Sequence, residues 1–227
     1  MEVTNATGIV DGHGHAPCST FNIWDLTGTG IVTKQLNNDT KDNWTVAGGR
    51  GSGVPIIAGL IRPEEVELAA SSAGDGKIHH ALAFSFDQNR CGPPMYPFAY
   101  RNDGIYAVNN HPAEGMLFQL DPLATEADFN AWGLNVYGKI LARTLQTYGA
   151  VLVDNGENGM AFQIQRLVPG DPLDCADTSS NCYAWESRIP GFIESIYNIP
   201  AVKLRVVDTA YLGAALLSDN DAHQCSR

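Results

Sequence analysis

Basic residues are scarce in this sequence: 14 Lys+Arg stand against 25 Asp+Glu, a formal net charge of −11 over 227 residues. Polyanion binding needs clustered Lys and Arg, so no nucleic-acid partner is expected. No apolar run approaches the ~20 residues of a membrane helix, so no membrane partner is expected either. Charge of either sign is sparse at 17%, while hydrophobic residues reach 44%, and that balance excludes a disordered chain. Length and apolar content fit one globular domain over residues 1–227.

Cysteines are few and scattered: Cys18, Cys91, Cys175, Cys182 and Cys225. Close Cys/His pairs with zinc-site spacing are missing. Cys175 and Cys182 bracket a polar hexapeptide, and a disulfide between them would close a short surface loop. Three Asn-x-Thr sequons, at Asn5, Asn38 and Asn43, fall within the first 45 residues. Together with the cysteines they favour a secreted glycoprotein. The opening Met1-Glu-Val-Thr-Asn5 has neither the basic start nor the apolar stretch of a signal peptide, so the leader is expected to have been removed. Also missing are G-x-S-x-G, H-E-x-x-H, phosphate-loop and dinucleotide fingerprints, and the E-x-D-x-x-E of jelly-roll glucanases.

What remains is mostly short apolar segments between turns. Residues 20–24, 55–61, 78–86, 116–120, 150–154, 160–164 and 201–207 read as strands. In 78–86, Ile78, His80, Leu82, Phe84 and Phe86 share one face. Residues 155–159, Asn-Gly-Glu-Asn-Gly, signal a hairpin between two of these strands. Helices are expected from Pro63, from Thr125 with Asp128 in capping-box spacing, and along Ile140, Leu141, Thr144, Leu145 and Tyr148. Residues 90–113 lack any period and are too apolar for a linker, which marks a long ordered loop of the kind that carries function. Strands outnumber helices and are mostly joined without helical crossovers. The fold class expected is therefore mainly β, an antiparallel β-sandwich or jelly roll with about three short helices, with mixed α+β as the alternative.

Three stretches resemble a family of secreted fungal and soil-bacterial proteins. They are Gly53-Val-Pro-Ile-Ile-Ala-Gly-Leu-Ile-Arg-Pro-Glu-Glu-Val66, Lys77-Ile-His-His-Ala-Leu82 and Leu141-Ala-Arg-Thr-Leu-Gln-Thr-Tyr-Gly-Ala-Val-Leu-Val-Asp-Asn-Gly156. The family's stretches read G-L-P-I-x-x-G-L-(V/I)-R, I-x-H-A-L and Y-G-x-x-x-x-D-N-G. The segment of Cys18, Phe21, Trp24 and Asp25 is similar to the family's upstream cysteine strand. Members carry more chain ahead of that strand, so the N-terminal segment here is read as diverged or cut. The resemblance implies secretion and wall-directed or carbohydrate-active work.

Candidate chemistry follows from residue type. Asp11, His13 and His15 alternate along a Gly-rich stretch, so all three line one face of an extended chain and suit a divalent metal; a polar turn is the competing account. His80 needs a partner for each ring nitrogen on its apolar strand face, and it matches the resembled family's histidine. Arg62 and Glu65, three residues apart at a helix start, are expected to share one polar site with it, or else to form a structural ion pair. Asp154 and Glu157 border the hairpin, where paired carboxylates suit glycosidic cleavage and Asp-Asn-Gly equally suits a tight turn. Tyr96, Tyr100 and Trp132 stand out among the loop aromatics as rings able to stack on sugars. The leading reading is a secreted polysaccharide-cleaving enzyme, hydrolase or lyase, with His80, Glu65, Arg62 and Asp154 as its catalytic set and no required cofactor. A non-catalytic carbohydrate-binding or wall protein and a metal-dependent protein using His13 and His15 are the alternatives. The partner expected is a polysaccharide or oligosaccharide.

Overall fold

The computed structural model describes residues 2–6, 18–22, 50–96, 98–99, 102–107, 110–156, 159–167, 178–207 and 215–216. Among them are nine strands: β1 (Glu2–Ala6), β2 (Cys18–Asn22), β3 (Leu82–Phe86), β4 (Met95–Tyr96), β5 (Leu117–Leu120), β6 (Ala150–Asn155), β7 (Ala161–Phe162), β8 (Leu204–Val206) and β9 (Ala215–Leu216). Five form one mixed sheet in the order β7–β3–β6–β5–β8. β3 runs parallel to β6; the other three pairings are antiparallel. β1 pairs with β2 and β4 with β9 in separate antiparallel ribbons.

The five helices are α1 (Pro63–Ala70), α2 (Glu126–Ala131), α3 (Val136–Thr147), α4 (Asn181–Arg188) and α5 (Phe192–Tyr197). Pro63 opens α1, where its missing N–H costs no helical bond. α2 begins with the expected capping box: Thr125 Oγ1 accepts from the Asp128 N–H, and the Asp128 carboxylate accepts from the Thr125 N–H. α3 turns Ile140, Leu141, Thr144 and Leu145 inward and packs on β5, α1 and α5. The large core lies on this side, with Leu82, Phe84, Ala150 and Leu152 from the sheet meeting Val66, Leu141, Leu145 and Trp185 from the helices. Ala83, Val151 and Val153 point to the opposite face and a smaller cluster around Val54.

The antiparallel β-sandwich is overturned by this arrangement, and the α+β alternative describes it better. Helical residues outnumber strand residues, and the central strand pair is parallel. A parallel pair needs a long crossover; here it runs through β4, β5, α2 and α3. The expected 150–164 hairpin does not form. β6 already has β3 and β5 on its two edges, so β7 pairs instead with the outer edge of β3. Residues 55–60 are turns rather than strand, and strand 78–86 begins only at Leu82. The Ala150–Val153 run is buried throughout, as a central strand covered on both faces requires.

Candidate functional site

Strict alternation along β6 would aim Asp154 into the helix-side core with Ala150 and Leu152. The register prevents it: Phe84 pairs with Leu152, but the next residue, Ser85, pairs with Asp154, leaving Val153 as an extra residue. This bulge re-aims the carboxylate toward the opposite face, a common use of bulges near functional sites. There Asp154 Oδ1 accepts the Gly51 N–H at 3.1 Å. The neighbouring Ser52 N–H bonds the Val153 carbonyl at 3.2 Å, fastening the 50–54 loop to the strand end.

Two more acids converge on the same point. Gly115 donates its N–H to the Leu152 carbonyl at 2.7 Å and so holds Glu114 against β6. Asp103 Oδ1 accepts the Asn155 N–H at 3.2 Å. Asp103, Glu114 and Asp154 each present a carboxylate oxygen within 4.8 Å of the other two. Glu114 is fully buried, and the other two are half-buried. Asn89, also fully buried, completes the wall: its Nδ2 donates to the Asp154 carbonyl at 2.9 Å and lies 3.5 Å from Glu114 Oε1. Gly51 has no room for a side chain, since a Cβ there would lie 2.2 Å from Asp103 Cγ.

The electrostatics are unlike those of a surface ion pair. Burial raises the Glu114 carboxyl well above its ordinary range, and the Asp103 carboxyl, near enough to share a proton, and the Asp154 charge add to the rise. Burial also pushes Asp154 up to about 6; the Gly51 N–H and the Arg50 charge pull it down, while Asp103 pushes it further up. Buried acids that hold their protons into the neutral range beside other acids in a cleft are candidates for a functional site. The cluster also lies at the carboxyl ends of the parallel strands β3 and β6, where open sheets that contain parallel strands place their ligands. Its outer wall is the 102–107 loop, tied to Asn89 by two N–H bonds of 3.1 Å from Ile105 and Tyr106 to the Asn89 carbonyl. Tyr106 is 38% exposed and stacks on His111, ring centroids 4.8 Å apart and nearly coplanar at 11°.

The expected trio forms, at a different place. Arg62 binds Glu65 Oε1 at 2.5 Å, and His80 Nε2 lies 3.3 Å from Glu65 Oε2. Glu65 also accepts the Arg62 N–H, so these contacts cap the first turn of α1. Burial pushes the Glu65 carboxyl up, but the bonds from Arg62 and His80 outweigh it and leave the group below its ordinary range. His80 precedes β3, whereas Asp154 follows four residues of β6, from Ala150 opposite Leu82 to Asp154 opposite Ser85. At ~3.3 Å per strand residue the two ends are on the order of 13 Å apart. The proposed catalytic set is therefore split between opposite ends of the sheet.

Trp132 is half-buried against Phe129, centroids 5.6 Å apart, at the end of α2. Cys182 is buried in α4 and disulfide-bonded, as is Cys91. Asp11, His13, His15, Asn38, Asn43, Tyr100, Glu157 and Cys175, and the side chains of Asn5 and Tyr96, lie outside the described residues. The residues that sequence reasoning missed are Asp103, Glu114 and Asn89. Their signal was the aperiodic 90–113 segment, which contains Asp103 and ends beside Glu114. No protein-family model, curated protein or solved structure matches this chain.

Proposed function

We propose that the chain is a secreted carbohydrate-active enzyme that cleaves glycosidic bonds, with its reaction centre at Asp103, Glu114 and Asp154. The observation that carries this reading is the juxtaposition of three converging carboxyls with an exposed aromatic face on the adjoining loop. Glycosidic cleavage pairs a carboxyl that keeps its proton with an ionised one beside it; burial holds the proton on Glu114, and Asp154 ionises above about pH 6. A sugar ring offers a flat apolar face of C–H bonds to an aromatic ring and hydroxyls to polar groups beside it. Tyr106, stacked on His111, and the half-buried Asp103 offer both three positions apart in the chain. The three sequons agree with work outside the cell.

The test is product release from a panel of plant and fungal glycans, comparing the unaltered protein with Asp103→Asn. Oligosaccharides are expected from at least one substrate, with ~100-fold or greater loss in the variant, the scale of removing one group that stabilises the transition state. Binding without product would favour a non-catalytic carbohydrate-binding protein instead. Equal turnover by both proteins would move the centre elsewhere.

A further inference from the structure

Three carboxylates this close repel strongly, and the nearby Arg50 charge and one protonated member relieve only part of that repulsion. Buried polar atoms are also almost always partnered, so those without partners call for an explanation such as an ion. Buried oxygens without a hydrogen-bond donor accompany the cluster: Asp87 Oδ1 directly after β3, Asn89 Oδ1, Asn155 Oδ1 at the end of β6 and, the Asp103 carboxyl aside, Glu114 Oε2. Among the nitrogens, Arg90 Nε also lacks an acceptor, while the Arg50 guanidinium bonds the Ile56 and Ala58 carbonyls. The surplus is of acceptors. Asn89 is the telling case, because it is not an acid. Its Nδ2 is committed to the Asp154 carbonyl and lies 3.5 Å from Glu114 Oε1, which fixes the carboxamide against the cluster and leaves Oδ1 buried without a donor.

We infer that Asp103, Glu114 and Asp154 bind a divalent cation of the calcium type, with Asn89 Oδ1 as a neutral fourth ligand. The donor set is all oxygen, which suits hard cations and argues against zinc or copper, whose sites draw on imidazole and thiolate. Ligand kind points the same way: calcium is commonly held by several carboxylates and side-chain amides, whereas magnesium usually takes one or two carboxylates and keeps its waters. One oxygen of Asp103 and one of Asp154 are already held by backbone N–H groups, which orients both carboxylates before the cation arrives. Calcium takes 6–8 oxygens, so the positions that the chain leaves open accept water or vicinal sugar hydroxyls. Binding of the cation itself requires no substrate and stands apart from the cleavage reading.

The test is calorimetric titration of the chelator-stripped full chain with calcium chloride, and with magnesium chloride in parallel. One saturable calcium site is expected, at least tenfold tighter than for magnesium, with a rise in melting temperature on loading. Glu114→Gln should weaken calcium binding at least 30-fold, and Asn89→Ala several-fold. Asp103→Asn, at a half-buried position, serves if Glu114→Gln does not fold. Absence of calcium binding up to ~10 mM, or equal binding by Asp103→Asn and Asn89→Ala, overturns the inference. Glycan release measured on the same samples reports separately on the cleavage reading.

Discussion

Replacing Asp154 with Asn should make the cation-free protein more stable at neutral pH. The folded state holds the Asp154 proton more tightly than the unfolded chain does, with the carboxyl moved from 3.8 to about 6, chiefly by burial. Below pH ~3.8 both states are protonated and the group contributes nothing. As pH rises from there to about 6, the unfolded chain releases its proton first, so stability falls and stays lower above that range. At ~1.4 kcal/mol per tenfold change in proton affinity the full cost is about 3 kcal/mol; partial exposure of the side chain reduces it to about 1–3 kcal/mol. Asn keeps an Oδ1 acceptor for the Gly51 N–H and carries no charge to oppose Asp103 and Glu114. Urea unfolding followed by tryptophan fluorescence, in chelator, should show the variant about 1–3 kcal/mol more stable at pH 7 and no different at pH 3.5. A variant that is less stable at pH 7, or equally stabilised at both pH values, would refute the electrostatic argument.

Gly51→Ala should cost about 1–3 kcal/mol in the same assay and weaken calcium binding, because its Cβ would lie 2.2 Å from Asp103 Cγ and displace that carboxylate. A neutral outcome would mean that the 50–54 loop yields without moving Asp103. Peptide mapping of unreduced protein should join Cys182 to Cys175, closing the polar loop between them; a Cys182 peptide linked elsewhere would reassign the bridge.

Three of the five helices were legible, whereas α4 and α5, the latter opening at Gly191 without a side-chain cap, were not. Pro63 with the following acids and the Thr125–Asp128 box act within one turn, and both helices begin where those residues place them. The β6 run was legible as a strand from its apolar residues alone. Its partners were not, because pairing depends on which edges are already taken. The Asn-Gly turn signal at 155–159 predicted a hairpin that the neighbours of β6 exclude. The site was half legible for the same reason. The Arg62–Glu65–His80 contacts join sequence neighbours across one helical turn and the short connection to β3. The carboxyl cluster joins residues from 51 to 155, and it depends on a β-bulge that no local pattern announces.

Two polar centres at opposite ends of one sheet make rival claims to the chemistry, and one kinetic comparison separates them. On a glycan that the unaltered protein degrades, kcat/KM is measured for Asp103→Asn and for His80→Ala, both verified as folded. The account predicts a loss of ~100-fold or more for Asp103→Asn and less than about threefold for His80→Ala. A large loss for His80→Ala with Asp103→Asn near normal would contradict it and place the reaction at the Arg62–Glu65–His80 end.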